Sequence, residues 1–438
     1  MTASKTTGEA LALLGGKPVR PLSNPSYPVY SERARARVDE LLAGGHAVGL
    51  GKHDPVIAEA ETTLADWHGV DHCLTTASGH AALHAALIGL EITGGDEVLT
   101  SPFSWGASIS CILHNNAIPR FADVDPETGL LDPVDLPVRV TPRTRAILVP
   151  HIFGQPANMT AIARFARERG LALIEDGSQA HGARHQGRRV GGFGDAAGFS
   201  CMGGKLLATT EGGYLVTRRA GVYHKAVLAG QHGGTANSPG RRGEPGFPEE
   251  LLPYSDSLIY THRISVLSAV LMVEQLRKLE DENAARRRNR ERFVELLAGV
   301  GSVRFPQYPA GDVLAPHMVT MSFVPEHAGV SKETYIAALR AEGVPAYAYL
   351  KQPLHMLDRL SPDTAAPRVM WTENLRRAGV DYRGLELPGT AAKTAASIEL
   401  SWNHIVDDPA TMAELADGFA KVEQHLDDLR AHERARGS

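Results

Sequence analysis

The sequence predicts an α/β protein, with a mostly parallel central sheet and a smaller α+β domain toward the C-terminal end. Three observations predict it. Between about residues 70 and 200, short continuous apolar runs alternate with helical patterns, the order required by a parallel sheet covered on both faces. Several of these runs end in turns of small or polar residues. After about residue 300, shorter strand-like pieces alternate with helices.

Residues 1–35 read as an arm carrying Gly15-Gly16 and several prolines. Within 52–69, Ile57, Leu64 and Trp67 recur at helical spacing. His72–Thr76 reads as a strand, and Ala77-Ser78-Gly79-His80 leads from it into an Ala/Leu-rich helix, AALHAALIGL. Further strands are expected within 95–102, 118–124 and 145–150. The stretch 159–170 is amphipathic and ends in glycine, as helices commonly do. A buried strand follows at 171–175. Residues 233–255, rich in Gly, Pro and charge, read as a loop. A long helix is expected from about 265 to 297, and its RRRNRER run reads as a solvated face rather than an anion site. A strand at 317–323, a helix at 332–342 and a frayed tail, AHERARGS, complete the chain. The boundaries drawn are an arm over 1–35, a large domain over 36–285 and a small one over 286–438.

Composition excludes several classes. The 438 residues carry 45 basic and 50 acidic side chains, a net charge of -5, which suggests neither a nucleic-acid groove nor a membrane surface. The longest apolar runs are far too short to span a bilayer, and the N-terminus lacks a signal-peptide layout. Cys73, Cys111 and Cys201 are odd in number and widely spaced, which argues against a disulfide framework or a thiolate zinc site. A reducing cytoplasm is the simple reading.

Ligands of open α/β sheets collect at the carboxyl ends of the strands. Ser78-Gly79-His80 lies at such an end: its N–H groups suit a phosphate, or the turn is an ordinary cap. Asp176, in IEDGSQAHGA, is either a cap or a carboxylate that keeps a heterocyclic nitrogen protonated. In the second case Gln179 and His181 face the same cavity. His181 and His185 have ligand-like spacing but no evident third partner, so no metal is expected. Trp105, in SPFSWGAS, is a core residue or a platform for a flat ring. In FSCMGGKLLATTEGG, Ser200 offers a hydroxyl to a phosphate oxygen and Lys205 an amine. An ordinary lysine titrates near ~10.4, and burial would free the amine as a nucleophile; the alternative is a lysine that snorkels to solvent. His232, His262 and Arg263 are candidates for substrate contacts, with surface roles equally open. An amine, a carboxylate, an aromatic platform and a phosphate turn share one obvious ligand, pyridoxal 5'-phosphate.

In the segments ASGHAALHAAL, GDEVLTSPFSWGAS, PRFADVDPETGLLD, HIFGQPANM, IEDGSQAHGA and GFSCMGGKLLATTEGGYLVT, the chain resembles the DegT/StrS type of fold-type I aminotransferases. That family acts on keto-sugars and cyclitols. The GGKPVR element and the DGSQAHGA region most resemble the cyclitol branch, which aminates scyllo-inosose-like ketones in aminocyclitol antibiotic biosynthesis. The resemblance implies that Lys205 forms the Schiff base and moves a proton between cofactor carbons. It implies that Asp176 pairs with the pyridine nitrogen, that Gln179 lies beside the ring hydroxyl and that Trp105 stacks on the ring. Gly79, His80 and Ser200 would hold the phosphate. It also implies a homodimer with sites built from two chains, an amino donor such as glutamine or glutamate, and a cyclic ketone acceptor. Two positions depart from the family pattern. His80 stands where the family usually has threonine, and Thr261-His262 precede Arg263 where it has an asparagine that reaches the partner's phosphate. Lysine at 205 argues against the related sugar dehydratases, which have histidine there. The same cofactor also supports elimination, epimerisation or ring formation, and fold does not choose among them. A scaffold that binds without turnover is a third reading, against which the intact Lys205, Asp176 and Gln179 set stands.

Overall fold

The computed structural model describes residues 10–45, 54–230, 245–255, 260–361 and 370–437. Its centre is a seven-stranded sheet in the order β1-β9-β8-β5-β4-β2-β3. The strands are β1 (His72–Thr76), β2 (Glu97–Thr100), β3 (Ile118–Phe121), β4 (Thr144–Pro150), β5 (Ala172–Asp176), β8 (Ala196–Ser200) and β9 (Gly213–Thr217). Only β9 runs against its neighbours, so the carboxyl ends of the other six open on one edge. Between β5 and β8 lies a small hairpin, β6 (Arg184–His185) and β7 (Arg188–Arg189).

Side chains that alternate along the strands separate two cores. In β1, Cys73 joins one and Leu74 the other; in β9, Val216 and Leu215 do the same. The helices are α1 (Glu32–Ala43), α2 (Pro55–His68), α3 (Gly79–Gly89), α4 (Ala107–His114), α5 (Leu136–Arg139), α6 (Met159–Arg169), α7 (Ala220–Gly230) and α8 (Val266–Leu296). Leu83 of α3 and Tyr223 of α7 pack on one face of the sheet, Leu64 of α2 and Met272 of α8 on the other. Local chemistry sets the helix ends. Asp54 caps α2 by accepting from Val56 and Ile57 N–H, and Pro55 begins the helix. Asn158 caps α6, which closes on Gly170 at φ 64°.

After α8 comes an antiparallel sheet in the order β10-β11-β13-β12, from β10 (Val303–Arg304), β11 (Met318–Phe323), β12 (Ala346–Tyr347) and β13 (Ser397–Ser401). The helices that follow are α9 (Pro325–Ala328), α10 (Lys332–Ala341), α11 (Thr372–Ala378), α12 (Pro388–Ala396), α13 (Pro409–Gln424) and α14 (Leu426–Gly437), of which α11 returns to the large sheet, with Leu375 packed against Ile118 and Phe121 of β3. Leu339 of α10 and Phe419 of α13 share its core with Met321 and Leu400. α8 runs through residue 286 as one helix and packs against both parts of the molecule.

Two expectations need correction. The RRRNRER run is not a uniformly solvated face: Arg286 and Asn289 are fully buried. There Arg286 Nε donates to Trp402 O at 3.3 Å and Asn289 Nδ2 to His404 O at 3.1 Å, so both satisfy loop carbonyls that would otherwise be orphaned. The tail is not frayed but continues α14 to Gly437. The Ser331 N–H donates to Glu433 Oε1 at 3.0 Å, and Arg430 Nε donates to Ala328 O at 2.9 Å.

Candidate active site

The carboxyl edge of the large sheet borders a cavity of about 460 Å3, walled by Ser78, Gly79, His80, Trp105, Asp176, Gln179, Ser200 and Lys205 among others. A larger groove of about 1070 Å3, beside Phe323, Lys332 and Leu387, contains none of these residues. Chemistry, not size, therefore picks out the site.

The turn from β1 to α3 forms one wall. Ser78 Oγ accepts from Ala81 N–H at 3.1 Å, capping α3. The N–H groups of Gly79 and His80 have no acceptor among the described residues. They are the orphan donors of a helix N-terminus, which suit a phosphate. Gly79 lies so close to β8 that an added Cβ would stand 2.5 Å from Ser200 Cβ. A Cβ on Gly213 would stand 2.4 Å from the Ser78 carbonyl carbon, so the turn is pinned between two strands. His80 turns toward α4, its ring 4.9 Å from that of His114, and its buried Nε2 has no protein partner. Burial, then His114, lower the His80 pKa below the ordinary imidazole value.

Asp176 ends β5 and is buried. Its Oδ2 accepts from Ser108 Oγ at 2.7 Å, and Ser104 Oγ lies 2.9 Å from Ser108 Oγ. Its Oδ1 accepts from Ser178 N–H at 3.1 Å. Neighbouring Glu175 serves the framework instead, accepting from the N–H groups of Gly191, Phe193 and Gly194. Gln179 Oε1 accepts from Phe153 N–H at 2.9 Å and its Nε2 donates to Tyr349 Oη at 3.0 Å. Trp105, on the link from β2 to α4, is 64% exposed, an available platform rather than a core residue.

Lys205 sits in the loop between β8 and β9. Its N–H donates to Met202 O at 2.8 Å, while its carbonyl accepts from the Tyr27 hydroxyl at 2.7 Å. Burial lowers the amine's pKa below the ordinary 10.5, and the Asp176 charge works against that shift. Among the described residues no hydrogen-bond partner holds Nζ. The amine is thus available to a ligand in the cavity.

The residues present fit pyridoxal 5'-phosphate. Two orphan N–H groups and Ser200 suit its phosphate, the Asp176 carboxylate suits its ring nitrogen, and the unpartnered Lys205 amine suits its aldehyde. The four substrate candidates fare differently. His181 is fully buried against Phe199 and Tyr214 and is not on the cavity wall. His262 packs behind the Ser78-Gly79-His80 turn against Tyr260 and His84, also off the wall. Arg263 is partly buried and likewise off this wall. His232 lies outside the described residues. Conversely, Ser104, Glu211, His317, Tyr349, Ser401 and Asn403 line the cavity without having been singled out. Four of these come from the C-terminal part, and no local motif announces them. Ser104 is adjacent to Trp105 in SPFSWGAS, and the strand-end rule applied there would have found it.

The match to known proteins covers most of the chain. The model of the DegT/DnrJ/EryC1/StrS aminotransferase family matches residues 29–381. An L-glutamine:2-deoxy-scyllo-inosose aminotransferase from Streptoalloteichus tenebrarius is 33% identical, over 96% of this chain and 99% of that one. An enzyme of the same name from Streptomyces lividus is 34% identical, over 97% of this chain and 100% of its own. The structure of DesI in the presence of its TDP-sugar product superposes with a TM-score of 0.79 at 24% identity, covering 98% of this chain and 99% of that one, a likeness of fold. Matched over most of its length, and with Lys205, Asp176 and the Ser78-Gly79-His80 turn meeting in one cavity, the chain belongs to the DegT/DnrJ/EryC1/StrS family of fold-type I, pyridoxal phosphate-dependent aminotransferases.

Proposed function

We propose that this aminotransferase moves the amino group of glutamine to a polyhydroxylated cyclic ketone of the inosose class, in the biosynthesis of an aminocyclitol antibiotic. The observation that carries the reading is the nearly full-length likeness to enzymes named for that reaction, in a chain whose Lys205, Asp176 and Gln179 share one cavity. The protein acts in the cytoplasm as a homodimer whose partner completes each site. Its arm, large and small domains divide near residues 35 and 285.

When bound, the cofactor supplies an electron sink for a carbanion at the amino-bearing carbon. The chain supplies the rest. The desolvated Lys205 amine would be the nucleophile for the aldehyde and, once free, the base that takes a proton from the donor's amino-bearing carbon and delivers it to the carbon that had been the aldehyde. Asp176, oriented by Ser108 and Ser178, keeps the pyridine nitrogen protonated. Gln179 has an Nε2 hydrogen left for the ring hydroxyl. The turn at Ser78-Gly79-His80, with Ser200, anchors the phosphate.

The test is to titrate the cofactor-loaded protein with glutamine, glutamate and alanine, following the cofactor's absorption band and the 2-oxo acid released. Glutamine should remove the band with stoichiometric 2-oxo acid, and 2-deoxy-scyllo-inosose should restore it. Lys205→Ala should abolish both steps. Loss of the band without oxo acid would move the chemistry to elimination or epimerisation.

A further inference from the structure

We propose that Tyr349 contacts the acceptor, donating its phenolic hydrogen to an oxygen of the cyclic polyol ketone. The inference rests on the function proposed above and deepens it by assigning a recognition group.

Hydrogen-bond polarity leads to it. The Phe153 N–H is a donor only, so the Gln179 atom it meets at 2.9 Å is the carbonyl oxygen. The other end of the carboxamide, Nε2, is therefore the donor in the 3.0 Å contact with Tyr349 Oη. The phenol oxygen accepts, and its own hydrogen remains unspent. Among the described residues no acceptor lies within reach of it. Burial pushes the phenol's pKa up, so the hydrogen stays on oxygen through the neutral range.

Position supplies the rest. Tyr349 comes from the C-terminal part and lines the cavity together with His317, Ser401 and Asn403. Asp176 and Ser200 belong instead to the large-sheet edge that suits the cofactor. The phenol is also held firmly. Its ring packs edge-on against Phe153 at 5.0 Å and tilted against Phe103 at 6.1 Å. Its N–H donates to Glu399 Oε2 at 2.8 Å, and Glu399 Oε1 accepts from Thr320 Oγ1 at 3.0 Å. Thr320 Oγ1 in turn accepts from the buried Lys393 Nζ at 3.0 Å. A fixed neutral donor facing a cavity suits a substrate rich in hydroxyl and keto oxygens.

Tyr349→Phe keeps the ring and its packing and removes the hydroxyl, both its hydrogen and the oxygen that accepts from Gln179 Nε2. Three quantities are measured on the loaded protein: the rate of the glutamine half-reaction, the KM for 2-deoxy-scyllo-inosose in the second, and the calorimetric Kd of scyllo-inositol, an unreactive cyclic polyol. The glutamine rate and the cofactor absorption maximum should stay within about twofold, while KM and Kd rise about tenfold, the size of one lost hydrogen bond. A shifted absorption maximum or an equal loss in both half-reactions would place the hydrogen on the cofactor and overturn the proposal, and so would no change at all. If the wild type takes glutamine but not the inosose, the acceptor reading fails, while the scyllo-inositol measurement still decides Tyr349. A wild type that binds no cyclic polyol sinks both.

Discussion

The hydroxyl of Tyr27 lies 2.7 Å from the carbonyl oxygen of Lys205 and 2.8 Å from that of Leu206. Tyr27 thus holds the backbone that carries the Lys205 amine. Arg286 stacks over the tyrosine ring at 5.2 Å. Burial raises the phenol's pKa to about 12, so it remains a donor at any working pH. Tyr27→Phe keeps the ring and leaves two carbonyls without that donor, a cost of about 1–2 kcal/mol. The glutamine half-reaction should slow about tenfold. A lowered melting temperature with an unchanged rate would confine Tyr27 to a structural role.

Gly79→Ala would force a methyl group to within 2.5 Å of Ser200 Cβ and 2.8 Å of Ser200 Cα. Ser200 is paired with Gly213 in the sheet and has little freedom to withdraw. Overpacking of this kind costs about 1–3 kcal/mol. Pyridoxal 5'-phosphate should bind at least about tenfold more weakly, while pyridoxal, which lacks the phosphate, should be little affected. Equal losses for the two would show that the turn does not serve the phosphate.

Ser108 acts through Asp176. Ser108→Ala removes a 2.7 Å hydrogen bond to a buried carboxylate, an interaction worth about 1.5–3 kcal/mol. The kcat/KM should fall about 10- to 100-fold. Ser104→Ala, one step further along the chain, should cost less. A larger effect at Ser104 would contradict this order.

Buried neutral imidazoles make the fold acid-sensitive. Burial lowers His68 and His84 to about 3, and His262 and His404 to about 4, from the ordinary 6.5. Below pH 6.5 the unfolded chain binds protons that the folded one refuses, so stability falls with pH until the folded values are reached. Each imidazole contributes about 1.4 kcal/mol per pH unit in mid-window. Urea midpoints should stay nearly level from pH 7.5 to about 6.5 and drop from there to pH 5, and His84→Gln should flatten that drop. A midpoint independent of pH over that range would refute the neutral assignment.

Much of the large sheet was legible because its order is local: apolar runs, capped helices and small-residue turns recur within about thirty residues of one another. The helices at 159–170 and 265–297 were read nearly to the residue, since Gly170 and Ser265 mark their ends. Lys205, Asp176 and the Ser78-Gly79-His80 turn were legible as candidates that share a cavity, because each lies at or just beyond the carboxyl end of a strand.

What resisted reading depends on contacts between distant segments. No local pattern says that Arg286 is buried while Arg288 faces solvent, because that follows from how α8 packs between two sheets. His181 stands in the same motif as Asp176 and Gln179, yet its ring turns into the core against Phe199. Tyr27 and Tyr349 are 178 and 170 positions away from Lys205 and Gln179, and nothing near either tyrosine marks it as a site residue. Backbone propensity and hydrophobic period act over a few residues and so place the strands and their carboxyl ends, and the residue types standing there say which cofactor the edge suits. Which side chains orient that cofactor and meet its substrate is set when the arm and the C-terminal sheet close over the edge, because hydrogen bonds act only at about 3 Å and only packing brings such partners that close.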